Sequence, residues 1–193
     1  NPPIPAELST QIDSGYYIVQ FKEPREISQR IEVAKIVERS YCFIDNNTDL
    51  VRTDPSKRQE LEQLPCVRWV GIYQPGYKLS PKLLEMYSKK ELDDPSKTID
   101  LRVDIFYNPR LPNDPDNHLL ADRDINEVIS NIKEIGGEII LHKPHSHTLS
   151  VKIRETGIKD IAFIRKVWWI GEQPKIKTQP DYRDNLLIKP YPE

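Results

Sequence analysis

Val67-Arg68-Trp69-Val70-Gly71-Ile72 recurs as Val167-Trp168-Trp169-Ile170-Gly171-Glu172. The echo extends upstream, where Leu50-Val51-Arg52 precedes the first copy much as Leu149-Ser150-Val151-Lys152 precedes the second. Self-similarity at a fixed offset marks a repeated unit, so the chain reads as two tandem domains. Trp69 and Trp169 fall at the same point of the repeat, which predicts a shared core or packing role. Alternation then puts Trp168 on the opposite, open face.

Working outward, Ile99, Leu101, Val103 and Ile105 alternate with Asp100, Arg102 and Asp104, the period of a strand with one buried and one wet face. Asp124 followed by Glu127 reads as a capping box, opening a helix whose stripe is Ile125, Val128, Ile129, Ile132 and Ile135 and which Gly136-Gly137 stops. Glu138–His142 and Thr148–Ile153 flank a turn, a short helix follows around Ile158 and Ile161, and Val167–Gly171 closes the unit. The order is βαββαβ.

The first copy repeats it with Tyr16–Phe21, a helix around Ile27 and Ile31, strands near Ala34–Ile44 and Leu50–Thr53, and a helix from Pro55 to Leu64 punctuated by Asp54 as N-cap and Pro65. The expected fold is therefore α+β, two tandem ferredoxin-like βαββαβ units, each a four-stranded antiparallel sheet with two helices on one face. The divisions are a Pro-rich leader (1–14), a first unit (15–77), a linker (78–97), a second unit (98–173) and an extended tail (174–193).

Composition excludes several functions. The 193 residues are 37% hydrophobic and 30% charged, and 28 Lys+Arg against 30 Asp+Glu leave a net charge of −2. No basic footprint argues for nucleic acid or an anionic membrane. No apolar run approaches the ~20 residues a bilayer requires. Asn1 in place of methionine fits a trimmed precursor. Two cysteines, Cys42 and Cys66, permit one bridge but build no framework.

Candidate chemistry is sparse. Asp13-Ser14-Gly15 carries the acid of two protease classes, but no partner histidine and serine motifs accompany it, so it reads as a turn entering the first strand. His142, His145 and His147 crowd the second hairpin and read as a solvated turn, with no metal expected. RNA binding on such a sheet needs exposed aromatics on its central strands, where this chain has Asp100, Arg102 and Asp104. With seven glycines and no phosphate loop, no enzyme site or cofactor is expected.

The segment Leu64-Pro65-Cys66-Val67-Arg68-Trp69-Val70-Gly71-Ile72-Tyr73-Gln74-Pro75-Gly76-Tyr77-Lys78-Leu79-Ser80-Pro81 resembles a segment in the N-terminal prodomains of large, secreted subtilisin-like serine proteases. Ile164–Glu172, followed by Arg183-Asp184-Asn185-Leu186-Leu187-Ile188, looks like the end of the second unit and the connector before a protease domain. The resemblance implies secretion and a non-catalytic role as intramolecular chaperone and inhibitor. It implies a subtilisin-like catalytic domain as partner, in cis or in trans, the open sheet face docked on it and the tail lying in its cleft. The contacts expected on that basis are Glu172, Asp100, Asp104 and Trp168 on the unit, with Leu186, Leu187 and Ile188 offered by the tail to substrate pockets. A stand-alone regulatory module of tandem units is the competing expectation.

Overall fold

The computed structural model describes residues 4–23, 26–45, 47–106, 115–142 and 147–173, with backbone alone for 42–45 and 115–122. The protein is α+β, with two four-stranded antiparallel sheets. The first is built from β1 (Tyr16–Phe21), α1 (Ile27–Ile36), β2 (Arg39–Asp45), β3 (Thr48–Arg52), α2 (Arg58–Glu62) and β4 (Val67–Ile72), in the strand order β2-β3-β1-β4. After a connector carrying α3 (Pro81–Ser88), the second uses β5 (Thr98–Ile105), α4 (Pro115–Glu134), β6 (Glu138–His142), β7 (Thr148–Arg154), α5 (Ile158–Phe163) and β8 (Val167–Glu172), ordered β6-β7-β5-β8.

Alternation decides which side of each strand meets the helices. Tyr17, Val19 and Phe21 pack with Val33, Ile36, Leu61 and Val70 in the first core. Leu101, Val103 and Ile105 pack with Ile125, Val128, Ile132, Ile158 and Ile161 in the second. Asp54 caps the turn before α2, accepting Ser56 N at 2.8 Å, and Pro55 follows it, as the punctuation predicts.

Three expected elements need correction. Asp124 does not begin a helix, because α4 starts at Pro115; Pro at the first helical position is itself a start signal. Instead Asp124 and Glu127, one turn apart, both accept Lys166 Nζ, at 2.7 and 2.5 Å. The helix expected around Ile27 and Ile31 forms as α1 but runs on to Ile36, burying Val33 and Ile36, so the strand expected near Ala34–Ile44 begins only at Arg39; Ile27 and Ile31 themselves are 76% and 54% exposed. The helix expected from Pro55 to Leu64 is a 3-10 turn (Pro55–Lys57) and the short α2.

The N-terminal segment and the connector belong to the second core. Leu8, at 0% exposure, packs there with Leu79, Leu83 and Leu92. Thr10 and the Gln74 amide bond reciprocally, Thr10 N to Oε1 at 2.8 Å and Nε2 to Thr10 O at 3.2 Å. Gly76 admits this crossing: a Cβ there would lie 2.8 Å from Ile4 Cγ2. Leu79 then pairs in parallel with Ile170, and Ser80 N donates to Ile170 O at 2.7 Å, so the connector covers the outer edge of β8.

Both tryptophans of the repeat lie on the faces away from the helices, which corrects the expected core role. Trp69 stands opposite Gln20 and Trp169 opposite Asp104. Each indole leans over the glycine two residues on. A Cβ at Gly71 would fall 2.0 Å from the Trp69 ring, and one at Gly171 would fall 3.3 Å from Trp169 Nε1. The repeated Trp-x-Gly is thus a surface stack on a sheet, with glycine as its seat.

Two stability outcomes follow. Leu8→Ala is expected to cost about 2–5 kcal/mol in urea unfolding, the ordinary range for emptying a closed core site, although Leu8 precedes the first strand. Gly71→Ala is expected to displace the Trp69 indole, with a red-shifted emission and a loss of about 1–3 kcal/mol, Gly171→Ala having the smaller effect.

Candidate functional site

The two sheets differ on the faces that carry no helices. On the first, Tyr16, Ile18 and Leu50 are apolar, and Leu50 is 0% exposed. What covers this face comes from the second half of the chain. Phe106, just past β5, stacks 4.1 Å from the Tyr16 ring centroid, 4.7 Å from Tyr41 and 6.1 Å from Tyr73, with Trp168 at 6.5 Å on its far side. Tyr73 Oη donates to Trp168 O at 2.9 Å, Arg165 Nε donates to Ser14 O at 2.7 Å, and the Arg165 guanidinium lies 5.6 Å over Tyr16. Burial raises the Tyr41 hydroxyl far above its ordinary range, so it stays a neutral phenol in this cluster.

On the second sheet the corresponding face is charged, and among the described residues its outer part is exposed while Ser150 at its centre is buried. Asp100 lies opposite Lys152, Arg102 opposite Ser150 and Gly171, and Asp104 opposite Thr148 and Trp169. Asp100, Arg102, Lys152 and Arg154 are exposed. Asp104, its side chain 13% exposed, accepts from Thr148 Oγ1 at 2.6 Å and pairs with Arg102 Nε at 3.0 Å. Asp100 makes no side-chain hydrogen bond among the described residues, yet its carbonyl accepts Gln173 N at 3.1 Å. Gln173, the last described residue, therefore sits beside Asp100. The Arg102–Asp104 pair is half open to water on the arginine side, which screens it, so it adds little to stability.

The other expected contacts lie elsewhere. Glu172 points away from this face and closes onto the connector: Ser80 Oγ donates to Oε2 at 2.8 Å and Lys82 Nζ pairs with Oε1 at 3.0 Å. Burial alone would raise its carboxyl, but the hydrogen bonds from Lys82, its own backbone and Ser80 hold it below the usual range. Trp168 is half-buried in the aromatic cluster. Leu186, Leu187 and Ile188 lie outside the described residues, as does His145.

His142 Nε2 is buried without a partner among the described residues, and no group of three or more His, Cys, Asp or Glu among them could hold a metal ion. Asp13 accepts from Gly15 N at 3.0 Å and from the Tyr17 hydroxyl, which makes it the pivot of a turn. Cys66 carries a free thiol, raised chiefly by burial. Among the described residues no helix is long and apolar enough to cross a membrane. An open groove of about 550 Å³ lies between the N-terminal segment and α3, lined by Ile4, Glu7, Tyr87 and Asp93 among others.

Sequence reasoning missed Lys78. It is 4% exposed, and its amine donates to Ile164 O at 2.8 Å where the connector meets the second unit. Burial pushes its pKa down to about 7. Residue spacing held no signal for it, because a lysine among apolar neighbours ordinarily extends its amine to water, and only the crossing of the connector over the second unit closes that route.

No protein-family model matches the chain, and no curated protein matches it. Among solved structures, one of a bacterial light-regulated adenylyl cyclase aligns at 11% identity and a TM-score of 0.25, covering 78% of this chain. This chain spans 62% of that one. A likeness so slight carries no argument about fold or activity.

Lys78 makes stability depend on pH. Its folded pKa lies below the unfolded value of about 10.5, so the unfolded chain binds more protons between about pH 7 and 10.5, and stability rises with pH across that window. Below pH 7 the penalty is fully present; above 10.5 it is gone. Lys78→Met is expected to raise the urea midpoint at pH 7 and to flatten the slope between pH 7 and 10. A variant less stable than wild type throughout would show that the amine is net stabilising.

Proposed function

We propose that this chain is the non-catalytic prodomain of a subtilisin-like serine protease, acting as chaperone and inhibitor of the catalytic domain. It is built of two ferredoxin-like units, 15–77 and 98–173, with 78–97 between them, 1–14 ahead and a tail of 174–193. The strand orders support that unit: each chain segment runs βαββαβ with its first and third strands adjacent at the centre of the sheet. The sequence segment from Leu64 to Pro81 supports the family.

The single observation that carries the reading is the open, charged face of the second sheet with the chain leaving at its margin. A partner seated on Asp100, Arg102 and Asp104 would meet residues 174–193 as they depart from Gln173. Extended at about 3.3 Å per residue, such a tail reaches roughly 60 Å, ample to cross a catalytic domain and lie in its cleft as an added strand. Leu186, Leu187 and Ile188 would offer side chains to its pockets. Binding to the native-like protease alone lowers the free energy of that state, which is how a docked inhibitor also assists folding. Secretion belongs to this proposal, as does action in cis or in trans.

The purified chain should inhibit a subtilisin-type protease at micromolar concentration, and Asp100→Lys with Asp104→Lys should weaken inhibition about tenfold, equivalent to about 1.4 kcal/mol. Unchanged hydrolysis at saturating chain would refute the reading.

A further inference from the structure

The two units share a strand order but dispose of their helix-free faces in opposite ways. The centre of the first sheet's face is apolar and packed against Phe106, Tyr73 and Trp168; the second sheet's face is charged, with Asp100, Arg102 and Lys152 exposed. We infer that the tandem has one docking face, that of the second sheet, and that the first unit serves as a brace that does not touch the docked partner. This rests on the function proposed above, which makes a subtilisin-like catalytic domain the occupant.

Three observations carry it. The first face is already occupied from within the chain: Tyr16, Tyr41 and Leu50 are buried, and a protease could reach them only by displacing the Phe106 stack. The attachment is not a single contact. Arg165 to Ser14, Tyr73 to Trp168, Lys78 to Ile164 and Ser80 to Glu172 tie the first unit and its connector to the second along both β8 and the segment before it. Finally, Gln173, the last described residue, donates its N–H to Asp100 O at 3.1 Å, at the margin of the second face, so the point from which residues 174–193 continue belongs to that face.

The repeat supplies a matched test, because Trp69 and Trp169 are equivalent positions on the two faces and Trp69 retains 37% exposure. In the full chain, with unfolding midpoints checked, Trp169→Ala should weaken inhibition of a subtilisin-type protease about tenfold and Trp69→Ala less than about twofold. Equal losses, or a larger loss for Trp69→Ala, would overturn the single-face assignment while leaving the inhibitor reading intact. The brace is tested without any protease. Wild type should unfold in urea as one transition, seen alike by circular dichroism and tryptophan emission, and Phe106→Ala should split it into two, with Phe106→Leu intermediate. Two transitions in the wild type would refute the brace. A chain that unfolds as one block yet fails to bind the protease would remove the proposed function and the docking face together, leaving the brace established.

Discussion

Phe106 stands 4.1 Å from Tyr16 and 4.7 Å from Tyr41, and the arrangement of both halves follows from what that ring covers. A four-stranded sheet with helices on one side must do something with the other. Where that face carries Tyr16, Ile18 and Leu50, water is an unfavourable neighbour, and each buried large apolar side chain is worth about 1.5–3 kcal/mol. Where it carries Asp100, Arg102 and Asp104, the favourable neighbour is water, because an unpaired charge under a covering layer costs more than the layer returns. One repeated unit thus yields an inward-facing and an outward-facing copy, with the aromatic ring that follows the second unit's first strand as the joint between them.

Much of this was legible from residue spacing. The alternation from Ile99 to Ile105 determines both the strand and its wet face, and the Trp-x-Gly echo determines that the unit occurs twice. The side on which the tryptophans lie was not legible from parity, for a specific reason. In both closing strands the register shifts: Phe21 pairs with Val67 while Gln20 pairs with Trp69, and Ile105 pairs with Val167 while Asp104 pairs with Trp169. Arg68 and Trp168 are therefore the extra residues of β-bulges, after which strict alternation points every side chain the wrong way. The clue was available in the apolar pairs Val67 and Val70, and Val167 and Ile170, which sit three apart where an unbroken strand would place them two or four apart.

Composition misled in a different way. Prolines near the N-terminus mark 1–14 as a leader, and 78–97 reads as a linker between the units. Neither signal registers single anchoring side chains. Leu8 and Leu92 each sit alone in a polar setting, yet both are buried in the second core, since a lone leucine needs only one closed site to stay there. Asp124 shows the same blindness toward long-range partners: the spacing of Asp124 and Glu127 suits a cap, and only the fold reveals that it suits Lys166.

Lys78 completes the physical argument about the joint. Its carbonyl partner, Ile164, precedes β8, the strand whose outer edge the connector covers. Of the charged groups on the elements around it, Glu172 is held by Ser80 and Lys82, Lys159 lies over Phe163, and Glu7 and Asp160 act on Tyr87. Burial is what lowers the Lys78 amine, and no carboxylate among the described residues offsets its desolvation. A methionine would fill the same volume at lower cost, whereas the amine fixes the connector's register against β8 through a directed hydrogen bond. That directed bond matters because Leu79 and Ser80, the next two residues, pair with the same strand that leads to Gln173 and the tail. The connector, the closing strand and Gln173 at its end are thereby held in register by one short run of chain, Lys78 to Ser80.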